Sequence, residues 1–490
     1  MTANEGPYVL TIDIGTSSTR ALLFDRQARP LDAIFAKEPT EMTTGPDGAA
    51  IFDPEALLDA MARCIDTALA KAGPLAGQIG AVAIDTFVSN FIALDAAGQP
   101  LTPLITYADT RNTADATLLR QRLDERDTHQ RTGCLLRTSY WPARIAWLQR
   151  TQPDVWRRTR ALATLGELIE RRLFGRSRVS SSAASWGGLL DRRTLGWDAE
   201  LLGALGVPRE LLGEVVDASA PLMGLAAPFR SRWPALAQVP WLPAIGDGAA
   251  ANLGSGCVDS RTMALTVGTT GAMRVVREHV DAMPAGLWCY RVDARRALLG
   301  GATSEGGNVF AWLQRTTQLP GPGDAALASV APDSHGLTIL PFFAGERSPG
   351  WAGDARATIT GMTMATTPLD IGRAALEAVA YRFALIARAM RGASDATPTI
   401  LASGGSLLRS DVWMQICADA IGLPITASGE GEATSRGAAL LALVAIGAIA
   451  DMADLPAAQG ATYAPDPQTH AIYQAAIERQ QALYRQLIGG

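Results

Sequence analysis

The chain has 490 residues, too many for one ordinary hydrophobic core, so two large domains are expected. With 48% hydrophobic and 19% charged residues it is globular in composition, with ample apolar surface for burial. A net charge of -5 argues against nucleic acid as the main partner, and the basic runs near Arg157 and Arg171 read as solvated helix faces.

The first element is Tyr8 to Asp25, where two apolar, β-branched runs flank the turn Gly15-Thr16-Ser17-Ser18. This is the pattern of a β-hairpin. Small hydroxyl residues after a glycine leave backbone N–H groups free to face an anion, and Asp13 ends the first strand where a carboxylate could hold Mg²⁺. A surface hairpin with a polar turn is the alternative.

Asp53-Pro54 reads as the N-cap and first residue of a helix, with Leu57, Leu58, Met61, Ile65 and Ala68 on one face and Gly73-Pro74 ending it. Ile79 to Ile84 is an apolar strand ending in Asp85-Thr86-Phe87. Alternation of strand and helix indicates an α/β layered domain. The stretch Leu101 to Arg111 brings Asp109 and Arg111 into a loop, where they could bind a polyhydroxylated ligand, pair with each other, or cap the following helix. Arg137 to Trp147 is aromatic-rich, and several short helices follow from about Leu162.

Trp241 to Ile245 runs into Gly246-Asp247-Gly248 and an Ala-rich helix, placing Asp247 at a strand end, where active sites of open α/β sheets collect. A plain N-cap aspartate is the other reading. The opening pattern then returns as Met263 to Val276 around Gly268-Thr269-Thr270, an internal repeat at domain scale. Thr266 stands where the first copy has Asp13, so only one turn carries the metal carboxylate. Downstream come a glycine-rich loop at Gly300 to Asn308, the loop Gly345-Glu346-Arg347-Ser348-Pro349, a helix from Leu369 to Met390, and the turn Ser403-Gly404-Gly405-Ser406 after a short strand. That last turn suits close approach of a phosphate or a flat ligand.

The five cysteines are scattered singly, which fits reduced, buried thiols. No signal peptide is apparent and the longest apolar stretch is too short to span a bilayer, so a cytoplasmic protein without membrane contact is expected. The only lysines are Lys37 and Lys71, neither in a P-loop context.

From Val9 to about Ile449 the chain resembles the FGGY carbohydrate kinase family of the actin-like ATPase superfamily. The resemblance rests on Asp13-Ile-Gly15-Thr16-Ser17-Ser18-Thr19-Arg20, Gly246-Asp247-Gly248, Val267-Gly268-Thr269-Thr270, the Ala357 to Met362 signature with Asp370 and Glu377, and Ser403 to Ser406. It implies an α/β fold of two duplicated actin-like (ribonuclease H-like) domains, 1–245 and 246–490, with the active site in the cleft between them. It further implies phosphorylation of a sugar, sugar acid or polyol by ATP with Mg²⁺. Asp247 would be the base, also near the metal with Asp13. Gly15, Thr16, Ser17, Arg20, Gly268 and Thr269 would meet the phosphates, and Gly307, Gly404, Gly405 and Arg409 the adenosine side. Thr86, Phe87, Asp109 and Arg111 would meet the sugar with Asp247.

The segments Thr106 to Arg111 and Gly345 to Pro349 are most similar to the gluconate kinase branch, which makes gluconate the first expectation and a ketopentose, heptulose or polyol the alternatives. Three positions depart from that branch: Val88-Ser89-Asn90 and Arg137 stand where histidines are common, and Tyr107 where tryptophan is usual. An actin-like chaperone or filament ATPase is the rival of another class, disfavoured by the missing phosphate-loop lysine and by a chain that ends soon after its last helix. A family member that only binds a metabolite is disfavoured by the presence of Asp13 and Asp247. A homodimer is the assembly that the resemblance suggests.

Overall fold

The opening hairpin forms as β1 (Tyr8–Ile14) and β2 (Ser18–Phe24), antiparallel, with Asp13 opposite Arg20. The computed structural model describes residues 5–317, 324–392 and 398–488. β3 (Pro30–Pro39) continues the meander on one side, while β4 (Ile79–Thr86) runs parallel to β1 on the other. Helix α1 (Pro54–Ala72) makes the crossover; the Asp53 carboxylate accepts the Glu55 N–H at 2.9 Å as its N-cap, and its apolar stripe packs on the sheet. The short β5 (Ile245–Gly246) adds in parallel to β4, giving the order β5-β4-β1-β2-β3.

After helix α2 (Asp247–Gly254) the second sheet begins: β6 (Thr262–Val267), β7 (Gly271–Arg277), β8 (Trp288–Arg291) and β9 (Ala297–Thr303), all antiparallel neighbours. Helix α3 (Gly307–Thr317) and the long α4 (Pro368–Arg391) follow. A Thr367–Asp370 capping box starts α4. β10 (Thr399–Ser403) pairs in parallel with β6, and β11 (Ile425–Ser428) in parallel with β10, helix α5 (Asp411–Ile421) joining them. Strand by strand, β9-β7-β6-β10-β11 repeats β3-β2-β1-β4-β5 in order and direction, so the duplication expected from two hairpins is a duplication of whole sheets.

The halves share a core. Helices α2 and α6 (Ala433–Ala445) cross between the sheets, and Ala249, Leu253, Ala438, Leu441 and Leu443 are buried with Val9 and Ala81 of the first sheet and Val276 and Leu298 of the second. The helix axes come close enough that a Cβ on Gly437 would stand 2.6 Å from the Ala250 carbonyl carbon, and one on Gly254 2.7 Å from that of Ala433. β12 (Gln459–Tyr463) and α7 (Pro467–Leu487) finish the second half. All five cysteines are free and buried, and no described helix is long and apolar enough to cross a membrane.

Candidate active site

Both hairpin turns present unused donors. Among the described residues the backbone N–H groups of Thr16 and Ser17, and of Thr269 and Thr270, donate to no other group, while Gly15 N–H and Gly268 N–H close the turns on Ser18 and Thr270 carbonyls at 3.0 Å each. Neither glycine needs a left-handed backbone. A Cβ on Gly268 would meet nothing within 4 Å, so the turn faces open space.

Asp247 sits where β5 passes into α2. It is the first helical residue and not the N-cap, which is Gly246. Among the described residues its one hydrogen bond is from the Gly248 N–H at 2.6 Å. Burial, then the Asp13 carboxylate, raise its pKa to about 7, against smaller lowering effects of that hydrogen bond and of Arg274. Trp186, stacked on Tyr290 at 3.6 Å, fixes the turn from behind: a Cβ on Gly246 would be 2.6 Å from its Nε1, and one on Gly248 2.9 Å from its ring.

Asp13 is buried beside Asp85, its register partner on β4. Asp85 is wholly inaccessible to solvent and neither of its oxygens has a hydrogen-bond partner outside the carboxylates. Burial raises its pKa well above the ordinary value, and the Asp13 and Asp247 charges add to this. Burial also raises Asp13, opposed by Arg20, whose guanidinium lies 3.9 Å away. Two all-oxygen donors in a buried pair fit a hard dication such as Mg²⁺. Asp85 was readable in the sequence only as one of the residues that end an apolar strand; the register with Asp13 is what gives it this setting.

Arg20 also spans to the second half, donating to Glu432 at 3.0 Å just before α6. The phosphate-side residue named from sequence thus has a protein partner in this structure.

The residues expected on the adenosine side lie close together. Gly307 N–H donates to Gly268 O at 2.8 Å and Ser406 N–H to Val267 O at 3.2 Å, knitting three loops together. Gly404 adopts φ +93° because it passes against the Val267 backbone. Gly307, Ser406 and Arg409 line a cavity of about 470 Å³ with Phe310, Leu376 and Trp413, which sequence reading had not singled out. Arg409 lies over Gly405.

The sugar-side expectations fare differently. Thr86 ends β4, buried beside Asp85. Phe87 has a ring that is 1% exposed and packs on Phe52 at 5.3 Å, so its side chain lies in the core. Asp109 and Arg111 pair with each other at 2.7 Å; Asp109 also accepts the Ala50 N–H at 3.1 Å and Arg111 covers the Trp147 ring at 4.6 Å. Tyr107, two residues earlier, is the side chain whose hydroxyl feels both Asp247 and Arg347. Two of the three departures from the gluconate kinase branch have partners within the protein. Ser89 donates to Trp186 O at 2.7 Å, Asn90 Oδ1 accepts the Leu165 N–H at 2.7 Å, and Arg137 pairs with Glu125.

Comparison with known proteins agrees with this architecture. Residues 8–254 match the N-terminal domain, and residues 263–446 the C-terminal domain, of the FGGY family of carbohydrate kinases. The chain is 27% identical to a gluconokinase of Bacillus subtilis (strain 168), covering 94% of this chain and 92% of that protein. It is 31% identical to a glycerol kinase of Dechloromonas aromatica (strain RCB), covering 92% and 91%. A crystal structure of gluconate kinase from Lactobacillus acidophilus superposes with a TM-score of 0.90 at 25% identity, covering 98% of each chain. A ligand-bound xylulose kinase from the same organism superposes at 0.91, also at 25% identity with 98% of each chain covered.

Proposed function

The chain belongs to the FGGY family of carbohydrate kinases, and from that premise we propose that it transfers the γ-phosphoryl group of ATP to a hydroxyl of gluconate or a closely related aldonate, with Asp247 as general base. The observation that carries the proposal is the setting of Asp247. It is a strand-end carboxylate whose pKa is raised to about 7 and which has only its neighbour's N–H for a partner among the described residues. A base poised near neutral pH takes the acceptor proton most effectively.

In this reading the acceptor hydroxyl gives its proton to Asp247 as its oxygen forms a bond to the γ-phosphorus; the bond from that phosphorus to the β–γ bridging oxygen breaks and ADP leaves. Catalysis of such a transfer is mostly positioning and charge neutralisation. The free N–H groups of Thr16, Ser17, Thr269 and Thr270 receive the phosphates. The cavity between Gly307 and Trp413 receives the adenosine, with Gly404, Gly405 and Arg409 on its rim. Asp13 and Asp85 would hold Mg²⁺, which when bound neutralises charge on the phosphate oxygens. Arg20 then exchanges its Glu432 contact for phosphate.

Similarity to a gluconokinase along nearly the whole chain and the Gly345 to Pro349 loop support gluconate. The xylulose kinase likeness supports a ketopentose as the second reading. The test is an ADP-release screen over aldonates, ketoses and polyols. Gluconate or another aldonate should give the highest kcat/KM, and no release above the acceptor-free background with any compound would overturn the kinase proposal.

A further inference from the structure

Two arginines of the second half, one of them beside Asp247, lack the carboxylate partner that other arginines of the site have. Arg111, Arg137 and Arg382 are paired with Asp109, Glu125 and Glu346. Arg274, on β7, is not: its Nε is buried with no hydrogen-bond partner, and an Nη reaches only the Thr266 hydroxyl at 3.4 Å. Its guanidinium lies against the catalytic turn, since a Cβ on Gly248 would be 3.9 Å from Nε.

Arg347 is the second. It is presented by a fixed turn: its neighbour Glu346 is buried, pairs with Arg382 and accepts the Tyr484 hydroxyl at 2.7 Å and the Gly350 N–H at 3.1 Å. Among the described residues the half-buried Arg347 side chain has no ion pair or hydrogen bond of its own. Its turn is fastened to β9, where the Ser348 N–H donates to Ala302 O at 2.9 Å, and Ala302 pairs with Ala272 on β7, two residues from Arg274, so adjoining segments carry the two arginines; the Arg347 charge accordingly bears on Arg274 and on the hydroxyls of Tyr107, Tyr140 and Tyr290. The Tyr140 and Tyr290 hydroxyls are 2.7 Å apart and occupy each other.

A buried guanidinium without a counter-ion is costly, and its planar fork matches a carboxylate through two parallel hydrogen bonds. Asp247 itself is no such partner, because it forms no ion pair with Arg274 and must stay free to accept a proton. We infer that Arg274 and Arg347 form a clamp for the carboxylate of the acceptor and so select acidic sugars over neutral ones. The inference rests on the aldonate reading above. It assigns acid recognition to the second half of the chain, away from the Asp109–Arg111 pair.

The test compares gluconate with sorbitol, a neutral polyol of equal length, in the wild type and in Arg347→Gln, Arg347→Lys and Arg274→Gln. The clamp predicts that the gluconate-to-sorbitol ratio of kcat/KM falls roughly 10–100-fold in both glutamine variants, through KM for gluconate, and less in Arg347→Lys. The heat of gluconate binding measured calorimetrically without ATP should fall in parallel. If Arg274→Gln fails a melting test of folding, Arg347→Gln decides, since it alters only a side chain at the rim. A wild type that phosphorylates sorbitol or a ketose but no aldonate overturns the substrate reading and the clamp with it. A wild type that prefers aldonates, with variants that keep that preference, overturns the clamp alone. An equal loss of kcat on both acceptors also overturns it, because the arginines would then serve the transferred phosphoryl group.

Discussion

Asp13 and Asp85 sit side by side on the parallel strands β1 and β4, and at the matching positions of the second sheet the Thr266 and Ser403 hydroxyls are hydrogen-bonded at 2.9 Å. The fold thus places an acidic pair in one half and a neutral pair in the other, at equivalent points of the repeat. That asymmetry concentrates the oxygen donors for a cation on one side of the cleft.

Asp85→Asn should stabilise the ligand-free protein. Because the folded state raises the Asp85 pKa, its stability contribution is intact below about pH 4 and is lost as the pH rises, the unfolded chain releasing a proton that the folded one retains. Asparagine cannot ionise and can donate to Asp13. The expected result is a melting temperature a few degrees above wild type at pH 8, with the gap closing towards pH 4. A lower melting temperature at pH 8 would contradict the assigned burial.

Asp247→Asn should lower kcat by roughly 10²–10⁴ while leaving ATP binding intact. In the wild type, kcat/KM for the acceptor should rise with pH to a plateau, with its midpoint near the raised pKa of about 7. The measurement is coupled ADP release from pH 5 to 9. Near-wild-type turnover in the variant would remove Asp247 as the base.

Gly307→Ala should act on the nucleotide alone. A Cβ there would collide with the Ser406 side chain and stand 2.9 Å from Gly268 O, prising apart the loops around the cavity proposed for the adenosine. KM for ATP is expected to increase on the order of tenfold, about 1.4 kcal/mol, with KM for the sugar unchanged. Initial-rate kinetics with each substrate varied in turn would check this.

Gly437→Ala should cost about 1–3 kcal/mol, the usual penalty for overpacking, because its Cβ would be driven into the Ala250 backbone. Gly203 is also helical, but a Cβ there would meet nothing within 4 Å, so Gly203→Ala should be neutral or stabilising by about 0.4–1 kcal/mol. Paired denaturation curves separate the two. Equal effects would mean that the α2–α6 crossing is looser than described.

The elements legible in the sequence were those with local grammar. Asp53-Pro54 announces α1 whatever packs on it, and both hairpins show as apolar runs around glycine and threonine. What stayed hidden depended on distant partners. That Asp109 and Arg111 meet the Ala50 N–H and the Trp147 ring as well as each other could not be read from their loop, because both groups lie outside it. Phe87 follows Thr86 directly, yet it lies beyond the end of β4, where the chain leaves the strand's alternation and its ring joins Val82 and Ile84 in the core, against Phe52. Asp85 and Arg274 looked like ordinary strand residues, and only register and helix placement bring them next to Asp13 and Asp247.

Asp247 begins a helix whose other end, Gly254, is threaded against Gly437. For any rotation of one half against the other about that crossing, the proposed proton acceptor lies near the fulcrum. The reacting oxygen would then be held by a nearly stationary group while the surrounding recognition groups travel, so that substrate capture and proton removal are geared differently by a single turn of the chain.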